Sequence, residues 1–475
     1  MPGKLRYDHW IGGKACEPAS RKYLPTLDPT TRRPSDEIAA GNAEDVEHAV
    51  AAAVEAQAEW AMRSAAERSA ALHRVAEAIE GSLAELIGLE QRATGKIESQ
   101  ARMEVEMAAA YFRYYAGVVR AHHGRNIDQG GHTLTYTRYE PYGVAAVITP
   151  WNFPLNQACR GGAPALAAGN AIVVKPSEFT SPSTVHLARI ASEAGLPAGL
   201  FNVVTGTGPE VGSPLAAHPD VQRIAFTGSV ATGRYLASVG AEKLIPLTLE
   251  LGGKSPLVVF ADADLERAAA AAVTVVAANA GQVCSATTRL IAEAPVHDEL
   301  VERVVEGASR LKPGVDFGPI ITEAQYAKVL RHFENAREDG AIPAIGGGGY
   351  TEDEVGEGMF IKPTVYAGVD PQWRIAREEI FGPVLVTMSF TDEAHALALA
   401  NDTEYGLLAA VWSGDAARGI RIAEQIKASQ VAVNGGALSI ETPLGGYKNS
   451  GYGREKGLEA LHEYAQVKCI SLKFA

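Results

Sequence analysis

The spacing of apolar positions divides the chain into stretches of different character. Between residues 43 and 96, "AEDVEHAVAAAVEAQAEW" and "AAERSAALHRVAEAIEGSLAELIGLE" are rich in Ala, Leu and Glu. Their apolar residues recur three and four apart, which predicts helices. From 143 to 260 short apolar runs take over: "GVAAVITP", "AIVVKPS", "FNVVTG", "RIAFTG" and "SPLVVF". These read as buried strands, and helical segments such as "TVHLARIASEAG" and "VATGRYLASVG" lie between several of them. Strands alternating with helices predict βαβ units and a parallel, doubly wound sheet.

A second alternating region runs from about 255 to 440, with "TRLIAEA", "FIKPTVY", "GPVLVTMSF" and "LLAAVWS" separated by helical stretches. The expected fold class is therefore α/β with two doubly wound, Rossmann-like units. Two segments fit neither sheet. "HTLTYTRYEPYG" (132–143) and the C-terminal "VKCISLKFA" alternate with period two, the mark of half-exposed antiparallel strands. Paired, they would make an edge ribbon, and exposed edges invite another subunit. A homo-oligomer, dimer or tetramer, is the expectation.

Length agrees with this division, since 475 residues exceed one compact core. Charge narrows the partners. Against 56 acidic residues stand 43 basic ones, a net charge of −13, with no concentrated basic patch to hold a nucleic-acid backbone. The start, "MPGKLRYDHWIGGK", has no apolar signal core. No apolar run approaches the roughly 20 residues that span a bilayer, and "AAAAAVTVVAANA" reads as a buried helix. A cytoplasmic protein is expected. Cys16, Cys159, Cys284 and Cys469 are too dispersed for a disulfide framework or a zinc site, so no metal is expected.

Four candidate groups follow apolar strands directly: Asn152, Lys175, Gly228 and Glu250. In a doubly wound sheet ligands bind outside the carboxyl ends of the strands, so this shared placement points to one site. The amide of Asn152, in "ITPWNFPL", could donate to an oxyanion or merely satisfy its own turn. Glu250, in "LTLELGGKSP", would be desolvated and suited to a general base, or would cap a turn or pair with Lys254. Lys175 and Glu178, in "VVKPSE", suit the hydroxyls of an adenosine ribose, and a carboxylate there would repel a 2′-phosphate. "VTGTGPEVG" and "FTGSVATG" are glycine-rich turns that open helices and offer backbone N–H groups to a pyrophosphate, though neither matches G-x-G-x-x-G. Cys284, in "ANAGQVCSATTRL", falls in a turn past a helix expected to stop at Gly281 and before the strand "TRLIAEA". It is a core thiol or a nucleophile. In "AREEIFGP", Glu378 and Glu379 read as a solvated helix end, and Phe381 could stack a ring.

Together these motifs resemble the NAD(P)-dependent aldehyde dehydrogenases of the hydrolytic type, over essentially the whole chain. The resemblance rests on "PWNFP" (150–154), "ALAAGNAIVVKPSE" (165–178), "FTGSVATG" (226–233), "LELGGKSP" (249–256), "GQVC" (281–284), "EEIFGPV" (378–384), "YGLLAAVW" (405–412) and "PLGGYKNSGYGRE" (443–455), in the family's order and spacing. It implies residues 1–118 and 142–251 as the dinucleotide-binding domain and 252–448 as the catalytic domain. Residues 119–141 and 449–475 would be the oligomerisation ribbon and C-terminal arm. It further implies Cys284 as the nucleophile, Asn152 with the Cys284 N–H as the oxyanion hole, and Glu250 as the base that activates water on a thioester. NAD, or NADP, would lie along Trp151, Lys175, Ser177, Glu178, Gly208, Gly228, Ser229, Gly233 and Gly252, with Glu379 and Phe381 at the nicotinamide end.

Glu455 resembles a carboxylate that some members use in a proton relay. Its usual lysine partner, directly after the position of Arg160, is here Gly161, so Glu250 is expected to carry more of that burden. The resemblance also places Asn156, Gln157, Arg160, Val283, Ser285 and the segment "GGALSIE" along the substrate tunnel. An arginine at 160 would suit a polar or acid-bearing semialdehyde, or would pair internally with protein carboxylates. Two other readings are open: a CoA-acylating dehydrogenase, which would tend to lack Glu250, and a non-catalytic protein on the same scaffold, which would tend to lack Cys284, Asn152 or Glu250.

Overall fold

The computed structural model describes residues 5–474. The first four residues, part of the segment read as lacking a signal core, and Ala475 lie outside the described residues. The runs VAAVI, AIVVK and LTLE form strands Val144–Ile148, Ala171–Lys175 and Leu247–Glu250, with every residue buried. Burial on both faces is why these strands are apolar throughout rather than alternating. With Val221–Thr227 and Phe201–Val203 they form the parallel centre of an eight-stranded sheet. From Val144–Ile148 the chain moves outward through Ala171–Lys175 to Phe201–Val203. It then returns to the other side at Val221–Thr227 and Leu247–Glu250. The reversal leaves a crevice at the carboxyl ends of Val144–Ile148 and Val221–Thr227.

A second sheet of seven strands has Arg289–Glu293 at its centre, with Val384–Phe390 on one side and Pro256–Val259, then Leu408–Trp412, on the other. "SPLVVF", assigned above to the first alternating region, is thus an interior strand of the second sheet. A buried parallel strand reads alike in either sheet, and only the intervening Gly252–Gly253 marks the change. Alternate residues of these strands supply two separate apolar clusters, Val258 and Ile291 to one, Leu257 and Leu290 to the other. Both faces of the sheet are therefore covered.

The period-two segments pair in register from Ala465↔Pro141 to Lys473↔Thr133, and Asn126–Asp128 adds a third strand. Sequence patterning missed several elements, two of them large. One is a sheet of Arg6–Tyr7, Tyr23–Asp28 and Arg33–Ala39; the other is the long helix Glu98–Val118. The 43–96 region forms three helices, Ala43–Met62, Ala65–Gly81 and Leu83–Thr94. Capping boxes at Asn42/Asp45 and Ser64/Glu67 start the first two by satisfying orphan N–H groups. Among the described residues no helix is long and apolar enough to cross a membrane.

The helix before Cys284 stops earlier than expected, at Ala277. Asn279 and Ala280 already have φ of 47° and 52°, ahead of Gly281 at 72°. Left-handed backbone costs a non-glycine residue about 1–2 kcal/mol, which is why the sequence points to the glycine. Here the side chain of Asn279 holds the strained turn through bonds described below.

Candidate active site

One cavity of about 170 Å³ is lined by Asn152, Glu250 and Cys284, together with Trp151, Thr227, Gly252, Glu379 and Phe381. Its walls come from both sheets. Asn152 follows Val144–Ile148, and Glu250 ends Leu247–Glu250 beside Thr227, its register partner. Cys284 precedes Arg289–Glu293, while Glu379 and Phe381 precede Val384–Phe390. Gly252 and Gly253 let the two sides close: a Cβ on Gly252 would lie 2.3 Å from Glu379 Oε2, and one on Gly253 would lie 2.4 Å from the Cys284 carbonyl. The Gly253 N–H donates to Glu379 Oε1 at 3.0 Å.

A reciprocal amide network fastens Asn152 to the cysteine turn. Asn152 Nδ2 donates to the Gln282 carbonyl at 2.9 Å, and Asn279 Nδ2 donates to the Asn152 carbonyl at 3.0 Å. Gln282, fully buried, is itself held by Asn279 O, Pro319 O and the Ile321 N–H. One Asn152 N–H is thereby committed, and the second is available to the cavity. Neither Asn279 nor Gln282 was singled out from the sequence. Both sit inside the quoted stretch around Cys284, but an amide that bonds backbone across two loops leaves no spacing signal.

Cys284 is half-buried and opens on the cavity. Burial pushes its thiol up to about 11; Arg160 and the Ser285 N–H pull the other way, and Glu250 and Glu379 add to the rise. Glu250 is 1% exposed, and neither carboxylate oxygen has a hydrogen-bond partner among the described residues. Burial, then the charge of Glu455, pushes it up to about 8, against the pull of Arg160. It neither caps a turn nor pairs with Lys254.

A second cavity of about 390 Å³ follows the crevice at the strand reversal and shares Pro150, Trp151, Thr227, Gly228 and Ser229 with the first. Lys175, Ser177, Glu178 and Gly208 line its far end. Lys175 Nζ lies 3.2 Å from Glu178 Oε2. Ser229 caps the helix Val230–Lys243 by accepting from the Thr232 N–H. Gly233 lines neither cavity; a Cβ there would meet Leu251 at 2.7 Å, so this glycine serves helix packing. At the junction Trp151 and Phe381 meet edge to face, centroids 5.4 Å apart. Phe381 has φ of 60°, and Gln325 bonds the Ile380 and Phe381 carbonyls on either side of that strained residue. Gln325 and Lys328 line the first cavity from the helix Glu323–Glu338, and the sequence reading missed both.

The expected tunnel residues do not line either cavity as a group. Asn156 and Gln157 are buried on the helix Pro154–Ala168, and Val283 and Ser285 flank Cys284, half-buried. Arg160 is buried in ionic contact with Glu455, and its Nη2 donates to Thr227 Oγ1 at 3.1 Å. Its cation is therefore spent inside the protein, the second of the two possibilities weighed for it.

Fold and cleft together define an α/β protein with a crevice at the strand reversal of its first sheet. The chain belongs to the aldehyde dehydrogenase family: the model of the Aldehyde dehydrogenase family matches residues 16–470. Among solved structures, it is 39% identical to an NAD-dependent aldehyde dehydrogenase from Sinorhizobium meliloti, covering 98% of this chain and 95% of that one at TM-score 0.96. A putative aldehyde dehydrogenase from Burkholderia cenocepacia is 37% identical, with 98% and 97% coverage and TM-score 0.96. The indole-3-acetaldehyde dehydrogenase of P. syringae, a cysteine mutant in complex with NAD+ and IAA, is 34% identical, with 100% and 98% coverage and TM-score 0.97.

Proposed function

We propose that the protein oxidises an aldehyde to its carboxylic acid with NAD through a covalent intermediate on Cys284. The observation that carries this reading is the meeting of Cys284, Asn152 and the unpartnered Glu250 in one cavity that opens on the crevice. The crevice suits a dinucleotide. A Cβ at Gly208 would meet no atom within 4 Å, leaving open space, and the Lys175–Glu178 pair offers both signs of charge to ribose hydroxyls. The Glu178 carboxylate favours NAD over NADP. Trp151, Ser177, Gly228 and Ser229 would hold the remainder, and Glu379 and Phe381 the nicotinamide end.

In this reading the Cys284 sulfur adds to the aldehyde carbon, and its proton passes to solvent water as the C–S bond forms, because burial holds the resting thiol protonated at neutral pH. The oxygen of the thiohemiacetal takes the free Asn152 N–H and the Cys284 backbone N–H. NAD supplies one thing, acceptance of the hydride whose departure leaves a thioester on Cys284. Glu250 then removes a proton from water, which attacks the thioester, frees the acid and returns the thiol. Glu250 is also what separates this reading from CoA acylation, since it gives water a base beside the thioester. Arg160, already paired, offers no cation to an acid-bearing substrate, so the substrate class rests on the cavity beside Cys284. The ribbon strand Ala465–Lys473, at the free edge of its sheet, is the surface we assign to a second copy of the chain.

Stopped-flow mixing with a panel of aldehydes and NAD tests the core of this. A burst near one NADH per subunit is expected, and Cys284→Ser should abolish it. A burst that survives the substitution would remove Cys284 from the mechanism.

A further inference from the structure

The buried contact between Arg160 and Glu455 raises a question about the neighbouring base. Arg160 lies on the helix Pro154–Ala168, which begins two residues after Asn152. Arg160 and Glu455 are each 4% exposed. The contact is ionic rather than an aligned hydrogen bond, and the other end of the guanidinium reaches Thr227, the register partner of Glu250. Glu455 arrives from the other side. It follows the strand Gly451–Tyr452, whose Gly451 pairs with Glu250, and its backbone bridges Leu444. Three segments of chain thus meet around Glu250, and one fully buried cation faces two buried carboxylates. The position after Arg160 could not take that cation's place without a shift, since a Cβ on Gly161 would lie 2.9 Å from Val147 Cγ1.

We propose that Arg160, joined to Glu455, is a positioning residue for the base. It cancels the charge of the second carboxylate next to Glu250 and ties the helix behind Asn152 to the strand end that carries Glu250. An arginine does not release its proton in a protein, so the pair acts as a fixed electrostatic setting and passes no proton along. The groups facing Glu250 are Glu455, Arg160, Arg454 and Lys456, with Cys284 and Tyr111 also in range. Loss of Arg160 leaves Glu455 uncompensated and makes Glu250 harder to ionise. Loss of Glu455 leaves the cation uncompensated and makes Glu250 easier to ionise. The two single changes therefore have opposite signs.

The inference rests on Glu250 being the base, and the experiment separates the two claims. The pH profile of acyl-enzyme hydrolysis can be followed with p-nitrophenyl acetate, without cofactor. Arg160→Met should move the midpoint of the rising limb up, and Glu455→Gln should move it down, each by about one pH unit, at the low end for a charge this close. The double variant should return near the wild-type midpoint, and it is also the variant best placed to fold, because it buries no lone charge. Glu455→Gln keeps the test alive if Arg160→Met does not fold. Midpoints that stay put, or that move in the same direction in both single variants, would overturn the inference. A limb that persists in Glu250→Gln would overturn the Glu250 assignment itself, and the inference with it.

Discussion

The two sheets contribute to the site from opposite ends of their strands. In the first, chemistry follows the strands: Asn152, Lys175, Thr227 and Glu250 sit at carboxyl ends. In the second, it precedes them. Cys284 comes before Arg289–Glu293, Glu379 and Phe381 come before Val384–Phe390, and Gly252–Gly253 come before Pro256–Val259. The carboxyl edge of one doubly wound sheet thus faces the amino edge of another, and the cavity forms where they meet. The first edge supplies a crevice, because strand reversal leaves one open, and a buried carboxylate without a partner. The second supplies a thiol on a strained turn, which depends on local side chains rather than on topology.

Substitutions at the junction should separate the two contributions. Asn152→Ala removes both an oxyanion donor and the bond to Gln282, and kcat should fall by about 10²–10³. Gly253→Ala leaves every catalytic group in place but pushes a methyl to within 2.4 Å of the Cys284 carbonyl. The turn must shift, and a displacement near 1 Å costs on the order of 10² in kcat. Little change in kcat for Gly253→Ala would mean the two edges need not be held so closely. Asn279→Ala releases the strained turn from the Asn152 loop at a cost of about 1–3 kcal/mol in stability, read as a lower Tm, with a smaller fall in kcat than for Asn152→Ala. The mildest effect is one of pH. With the Cys284 thiol pushed up to about 11, its alkylation by iodoacetamide should keep rising through pH 9 without a plateau. A plateau near pH 7 would show that the turn already stabilises the thiolate.

The same contrast explains what the sequence made legible. Asn152, Lys175 and Glu250 follow apolar runs, so the strand-end rule reached them without any relative in view. Cys284, Glu379 and Phe381 obey no such rule: the residues alone left Cys284 a core thiol or a nucleophile and Glu379 a solvated helix end, and only the ordered motifs pointed to roles for them. Asn279, Gln282, Gln325 and Lys328, all from the second unit, escaped both routes. They act through backbone contacts or cavity position that arise only when distant segments pack. The ribbon was readable because period-two patterning is local. The true end of the helix at Ala277 was not, because side-chain bonds from Asn279 override the glycine signal. Arg160 shows the limit most plainly. Its position suggested a substrate contact, yet Glu455, almost 300 residues later in the sequence, had already taken its charge.

In the proposed reaction a thiol from the second edge carries the substrate while a base from the first releases it. The most direct test of that reaction is to mix Glu250→Gln with an aldehyde and NAD, quench with acid, and map the peptides by mass spectrometry. One acyl group per subunit is expected on the peptide containing Cys284, matched by one equivalent of NADH and little further turnover. Steady turnover with no trapped acyl group, or an adduct on Cys16, Cys159 or Cys469, would contradict it.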